Sequence, residues 1–108
     1  MQEIEVLYFD GCPSWQNAWA VLGAVLAESS GWEPSVRLRD VTTMAPEELV
    51  GFAGSPTIRV DGVDLFGYGG PMIMACRRYE DNGGQGWPST ETLRARLDAA
   101  RGDAAPSA

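Results

Sequence analysis

The sequence predicts a single α/β domain, and three observations carry that expectation. Apolar spacing switches between two and three-to-four along the chain, so short strands should alternate with helices. Asp61-Gly62 stands between two alternating runs, the signature of a two-residue hairpin. At 108 residues the chain can bury one modest core.

The elements follow in order. IEVLYF (residues 4–9) is apolar on both faces, as a central strand should be, and Asp10-Gly11 breaks it. Cys12 takes the place of a helix N-cap, with Pro13 at the first helical position, where its missing N–H costs nothing. Trp15, Ala18, Trp19, Leu22, Val25 and Leu26 recur at helical spacing, and Gly31 supplies a stop. In SVRLRDV (residues 35–41) Val36 and Leu38 face one way and Arg37 and Arg39 the other. That alternation suits an edge strand with one wet face.

APEELVGFAG (residues 45–54) predicts a short helix, with Pro46 early and Gly54 late. The Asp61-Gly62 turn then fixes a register in which Val60 pairs with Val63 and Ile58 with Leu65. On the other face Arg59 lies opposite Asp64, a cross-strand pair of opposite charge. IMACRRY (residues 73–79) fits a fifth strand or a helical turn equally well. Ser89 should cap a last helix running to about Arg101, with Leu93 and Leu97 on its inner face. The domain is expected over residues 1–101, and 102–108 (GDAAPSA) reads as a frayed tail.

Composition removes several function classes. Net charge is −7 and no lysine is present, so a basic nucleic-acid footprint is absent and attraction to anionic lipid is not expected. The longest mostly apolar stretch, residues 18–27, is too short for a bilayer, which needs roughly 20 residues. The acidic, strand-like MQEIEVLYF start does not read as a signal peptide, which makes the cytoplasm the expected location. Two cysteines without an export signal fit a reducing compartment, where lasting disulfides are rare. With no histidine, Ser/His and Cys/His hydrolase chemistry is excluded. GYGG (residues 67–70) lacks the lysine and Ser/Thr of a phosphate-binding loop, so no cofactor is expected.

The chemistry then rests on the cysteines. At a helix N-terminus, free N–H groups and the macrodipole would favour the Cys12 thiolate, while Asp10 nearby opposes it. Tyr8, Phe9, Trp15 and Trp19 read as core or groove wall. Met72, Met74 and Cys76 alternate and, with Cys12, offer thiolates and thioethers without histidine. That set would suit copper(I) or mercury(II) better than zinc. The same alternation equally describes one face of a buried strand.

The order strand, helix, strand, helix, hairpin, helix resembles that of the thioredoxin superfamily. Three features add to the likeness: Cys12-Pro13 opening the first helix, Ser55-Pro56-Thr57 ahead of the third strand, and the tight hairpin. More narrowly, the chain is similar to small bacterial thioredoxin-family proteins with a GCP centre (Gly11 to Pro13) and a late CR-x-Y element (Cys76, Arg77, Tyr79). Some of those are loosely labelled alkylmercury lyases; carbon–mercury cleavage would need an acid, for which Asp10 is the candidate. The likeness covers residues 3–66 and the last helix.

It implies a central mixed sheet of four or five strands flanked by helices, a cis Ser55–Pro56 bond, and thiol–disulfide exchange with a protein or low-molecular-weight thiol or disulfide. Cys12, Pro13 and Pro56 would form the catalytic centre, and Gly11, Trp15, Ser55 and Thr57 would line the substrate site. The family topology returns the chain after Phe66 to the end where Cys12 lies. Residues 67–75 can bring Cys76 beside it or carry it elsewhere, so a resolving thiol and a core residue both remain open. One position departs from the dithiol pattern: Trp15 stands where the second cysteine would be, which resembles a monothiol centre. An interaction module that kept the fold and lost turnover, and a soft-metal protein using Cys12 and Cys76, are the alternatives.

Overall fold

Strand β1 (Glu3–Tyr8) runs between two neighbours, as its two apolar faces require. In the computed structural model, which describes residues 2–29 and 31–102, β1 is followed by helix α1 (Trp15–Glu28) and strand β2 (Ser35–Asp40). The hairpin strands β3 (Thr57–Val60) and β4 (Val63–Asp64) come next, and helix α2 (Thr90–Gly102) last. The sheet has four strands in the order β2-β1-β3-β4. Strands β1 and β2 are parallel, from Glu3↔Ser35 to Tyr8↔Asp40, while β3 is antiparallel to both β1 and β4. The sheet is therefore mixed, with β2 at one edge as its alternation predicts. Residues 103–108, most of the expected tail, lie outside the described residues.

Alternation along β1 divides the core. Ile4 and Val6 point to the side where Leu22 and Val25 of α1 meet Leu93 and Leu97 of α2, together with Ile58 and Val60. Leu7 points to the other side, where it meets Val41, Met44 and Phe52. Both α-helices thus cover one face, and the second face is covered by an irregular stretch. That stretch contains two 3₁₀ helices, Val41–Thr43 and Pro46–Leu49; the second is the short helix expected within 45–54, and it ends at Leu49, ahead of Gly54. Its N–H groups are satisfied locally: the Glu48 carboxylate accepts the Ala45 N–H at 3.0 Å, and the Asp40 carboxylate accepts the Thr42 N–H at 2.9 Å. Gly51 at φ +82° then turns the chain within one residue of Phe52, which stops the helix from lengthening.

The hairpin follows its predicted register, Arg59↔Asp64 and Val60↔Val63, with the Leu65 N–H donating to Ile58 O. Asp61 (φ +52°) and Gly62 (φ +83°) are both left-handed, as a type I′ turn requires. Arg59 and Asp64 do not pair with each other, however. The Arg59 guanidinium donates to the carbonyls of Glu48 and Val50, fastening the 3₁₀ stretch to the sheet, and Asp64 takes Arg77 as its partner. Helix α2 starts as read: the Ser89 hydroxyl accepts the Thr92 N–H at 3.1 Å, and Leu93 and Leu97 are fully buried. In α1 the inner stripe is Ala18, Leu22 and Val25, and Trp19 is exposed at its margin. No helix among the described residues is long and apolar enough to cross a membrane.

Candidate functional site

From the end of β1 the chain turns at once. The Cys12 N–H donates to Phe9 O at 3.3 Å, and the carbonyls of Cys12 and Pro13 accept the N–H groups of Trp15 and Gln16. These four-residue turns lead into α1, whose N-cap is Ser14, not Cys12. Cys12 therefore lies just ahead of the positive end of the helix, and it is only 2% exposed.

Cys12 is bonded to Cys76 in a disulfide that spans 64 residues, with the Cα atoms 5.6 Å apart. What brings Cys76 there is Ser55. Its N–H donates to Ala75 O and its carbonyl accepts the Arg77 N–H, both at 2.9 Å, so one parallel bridge flanks Cys76 on each side. The Ser55 hydroxyl accepts the Phe9 N–H at 3.1 Å. One buried serine thus ties the loop carrying Cys12 to the segment carrying Cys76. Residues 73–79 form neither a fifth strand nor a helical turn: the segment is irregular, with isolated bridges from Cys76 to Ser55 and from Tyr79 to Gln85. The Ser55–Pro56 bond is cis.

The close approach needs Gly54. At φ +106° it holds a conformation that side chains disfavour, and a Cβ there would sit 2.7 Å from Ala75 O and 3.2 Å from Arg77 N.

Beyond Cys76 the segment is anchored by its side chains. Arg77 makes a bidentate pair with Asp64, Nη1 to Oδ1 at 2.7 Å and Nη2 to Oδ2 at 3.2 Å. The Asp64 side chain is 1% exposed and that of Arg77 is 11% exposed. Asp64 Oδ2 also accepts the N–H groups of Phe66 and Tyr68, so the buried carboxylate is well satisfied. The guanidinium lies over the Tyr79 ring at 4.8 Å. The Tyr79 hydroxyl donates to Pro56 O at 2.6 Å. Burial drives that hydroxyl well above the ordinary tyrosine range, against the opposing pull of the Arg77 cation, so it remains a neutral donor.

Pro13, expected in the catalytic centre, is exposed beside Cys12; of the residues expected to line a substrate site, Gly11 is exposed there too, and Trp15 is half-buried against Tyr8, ring centroids 4.5 Å apart. Ser55 and Thr57 are fully buried. The Thr57 hydroxyl donates to Gly54 O at 2.6 Å, so both hydroxyls serve the loop's own hydrogen bonds. Met72 and Met74 are exposed and not on a buried strand face. Among the described residues no three Cys, His, Asp or Glu side chains gather as a metal site.

Cys76, in contrast to Cys12, is exposed. It lines a groove of about 260 Å³ with Ser14, Arg77, Arg78, Gln85 and Gly86, and Cys12 does not reach that groove. Ser14, Asp64, Arg77, Arg78 and Tyr79 are the site residues that sequence reasoning passed over as site residues. The available signal was the charge pattern, two arginines directly after the second cysteine and an acid placed inside a hairpin strand. No family profile, curated protein or solved structure significantly matches this chain.

Proposed function

We propose that the protein is a thioredoxin-like thiol–disulfide exchange protein whose Cys12–Cys76 pair alternates between disulfide and dithiol. Support for the thioredoxin-like part comes from the β2-β1-β3-β4 order, the parallel β1–β2 pair, the antiparallel hairpin, the Cys12-Pro13 turn ahead of α1 and the cis Ser55–Pro56 bond. Trp15 removes a second cysteine from the helix, and Cys76 supplies the missing sulfur from across the Ser55 loop.

The exchange reading is carried by one observation: Cys76 is held on both flanks by the Ser55 backbone and beyond by Arg77–Asp64. Those bonds do not depend on the sulfur–sulfur link, so the reduced pair stays poised to re-form it. In reduction two thiolates are consumed: the first forms a mixed disulfide and displaces one cysteine thiolate, and the second releases the product disulfide and the other thiolate. Copper(I) or mercury(II) capture would use the same two sulfurs and so would compete with this cycle in the dithiol form.

The experiment is a titration of the full chain with reduced and oxidised dithiothreitol, followed by alkylation, intact mass and far- and near-UV circular dichroism. Exchange predicts two thiols per chain appearing and disappearing reversibly, with near-UV signals retained. Loss of the native signals on reduction would make the disulfide a structural staple instead.

A further inference from the structure

We infer that a small anionic thiol approaches along the groove beside Cys76 and attacks the Cys76 sulfur, leaving the bonding electron pair on Cys12. The inference rests on the exchange reading above and assigns its direction. It reverses the order expected from sequence, in which Cys12 carries the mixed disulfide.

Access decides which sulfur is attacked. Cys12 is 2% exposed, enclosed by the turn that leads into α1, and lines no part of the groove. Cys76 is exposed and forms part of the groove wall. The incoming thiolate RS⁻ forms an R–S–Sγ bond with Cys76 while the Cys76–Cys12 bond breaks. Cys12 departs as a thiolate just ahead of the positive end of α1, where negative charge is favoured. A second thiolate attacks the R sulfur, giving RSSR and the Cys76 thiolate. Two thiolates are oxidised to one disulfide, and one protein disulfide is reduced to two thiolates.

The groove also selects the thiol. Both backbone groups of Ser55 are taken by the Cys76 segment, so an incoming peptide cannot pair with Ser55 itself. In a chain of net charge −7, the cations are largely committed. Arg37 and Arg39 hold Glu5, Arg77 holds Asp64, Arg94 holds Glu28, and Arg59 holds two carbonyls. Arg78 lines the groove and makes no ion pair or hydrogen bond with a described residue. A carboxylate- or sulfonate-bearing thiol of low molecular weight fits that guanidinium and that volume.

The test uses the oxidised full chain and three thiols at matched thiolate concentration: 2-mercaptoethanesulfonate, 2-mercaptoethanol and cysteamine. An early acid quench, alkylation and peptide mapping of the wild type should place the added thiol on Cys76 and the alkyl group on Cys12. The reverse placement overturns the inference while leaving exchange intact. In the reduced single-cysteine variants, Cys12→Ala should form adducts with bis(2-sulfoethyl) disulfide about tenfold or more faster than Cys76→Ser, since access limits the buried sulfur. Equal rates contradict it. Arg78→Gln should lower the sulfonate-to-cysteamine rate ratio by about threefold to fivefold at low salt, the range of an exposed ion pair. An unchanged ratio overturns the anionic preference. A wild-type disulfide that no thiol reduces overturns exchange itself, and the direction with it.

Discussion

Two buried carboxylates stand on the same sheet face and are neutralised in different ways. The register sets Arg37, Glu5, Arg59 and Asp64 in a row across all four strands. Glu5 turns to the β2 edge, where Arg37 and Arg39 donate at 3.2 and 2.8 Å from side chains that are themselves partly exposed. Asp64 turns to the other edge and takes Arg77, nearly as buried as itself. The first pairing fastens a sheet edge, and the second fastens the segment that carries Cys76. Similar ion-pair chemistry should therefore contribute to stability at one end and to stability plus disulfide chemistry at the other.

The largest effect should come from Asp64→Ala. Removing one partner of a buried pair leaves the guanidinium uncompensated, at a cost of about 3–5 kcal/mol. Urea unfolding would measure that loss, and the rate at which the reduced protein re-forms its disulfide should fall with it. A destabilised variant that reoxidises at the wild-type rate would detach Arg77 from the site. Gly54→Ala should cost about 1–3 kcal/mol, because φ +106° is strained for alanine and its Cβ meets Ala75 O. It should slow reoxidation in the same way.

Glu5→Gln sharpens the contrast from the other end. Weakening charge-assisted bonds at a buried acceptor should cost about 1–3 kcal/mol, with reoxidation unchanged. A redox effect as large as that of Asp64→Ala would remove the distinction between the two carboxylates.

Tyr79→Phe is the smallest change, about 1 kcal/mol at neutral pH for a hydrogen bond to Pro56 O. Its pH dependence is diagnostic. The unfolded phenol ionises near pH 10, whereas burial holds the folded one well above that. The unfolded state then binds fewer protons than the folded one, so this contribution is whole below about pH 10 and is lost as the pH rises further. The advantage of wild type over Tyr79→Phe should shrink above pH 10, by about 1.4 kcal/mol per unit. A constant difference would mean that the hydroxyl is not a buried neutral donor.

The same contrast explains what could be read from the sequence. The hairpin was legible because Asp61-Gly62 fixes its register locally, and α2 because Ser89 and the Leu93/Leu97 spacing are local signals. The partners of Arg59 and Asp64 were not, since each lies outside the hairpin and the chain's return sets them. Residues 73–79 carry no periodic pattern because isolated bridges at Cys76 and Tyr79 and the side chains of Arg77 and Tyr79 hold them, not a continuous ladder. The short helix over 46–49 was legible from its early proline, but its end reads as Gly54 in the sequence, whereas Gly51 already turns the chain. Cys12 stood out from sequence, but its burial and the exposure of Cys76 depend on how the Ser55 loop brings distant segments together.

The central claim is that Cys76 stays beside Cys12 when the bond is open, and an effective-concentration measurement tests it most directly. The chain is equilibrated with a small thiol and its disulfide, once folded and once in concentrated urea, and the two equilibrium constants are compared. A flexible tether between cysteines 64 residues apart gives an effective concentration of about millimolar. Loop-closure entropy for that span corresponds to about 4 kcal/mol, a ratio of about a thousand. The account predicts that ratio, with the folded value about molar. A ratio near one would show that the Cys76 segment leaves its place once the disulfide opens, and the poised-pair account would then be wrong.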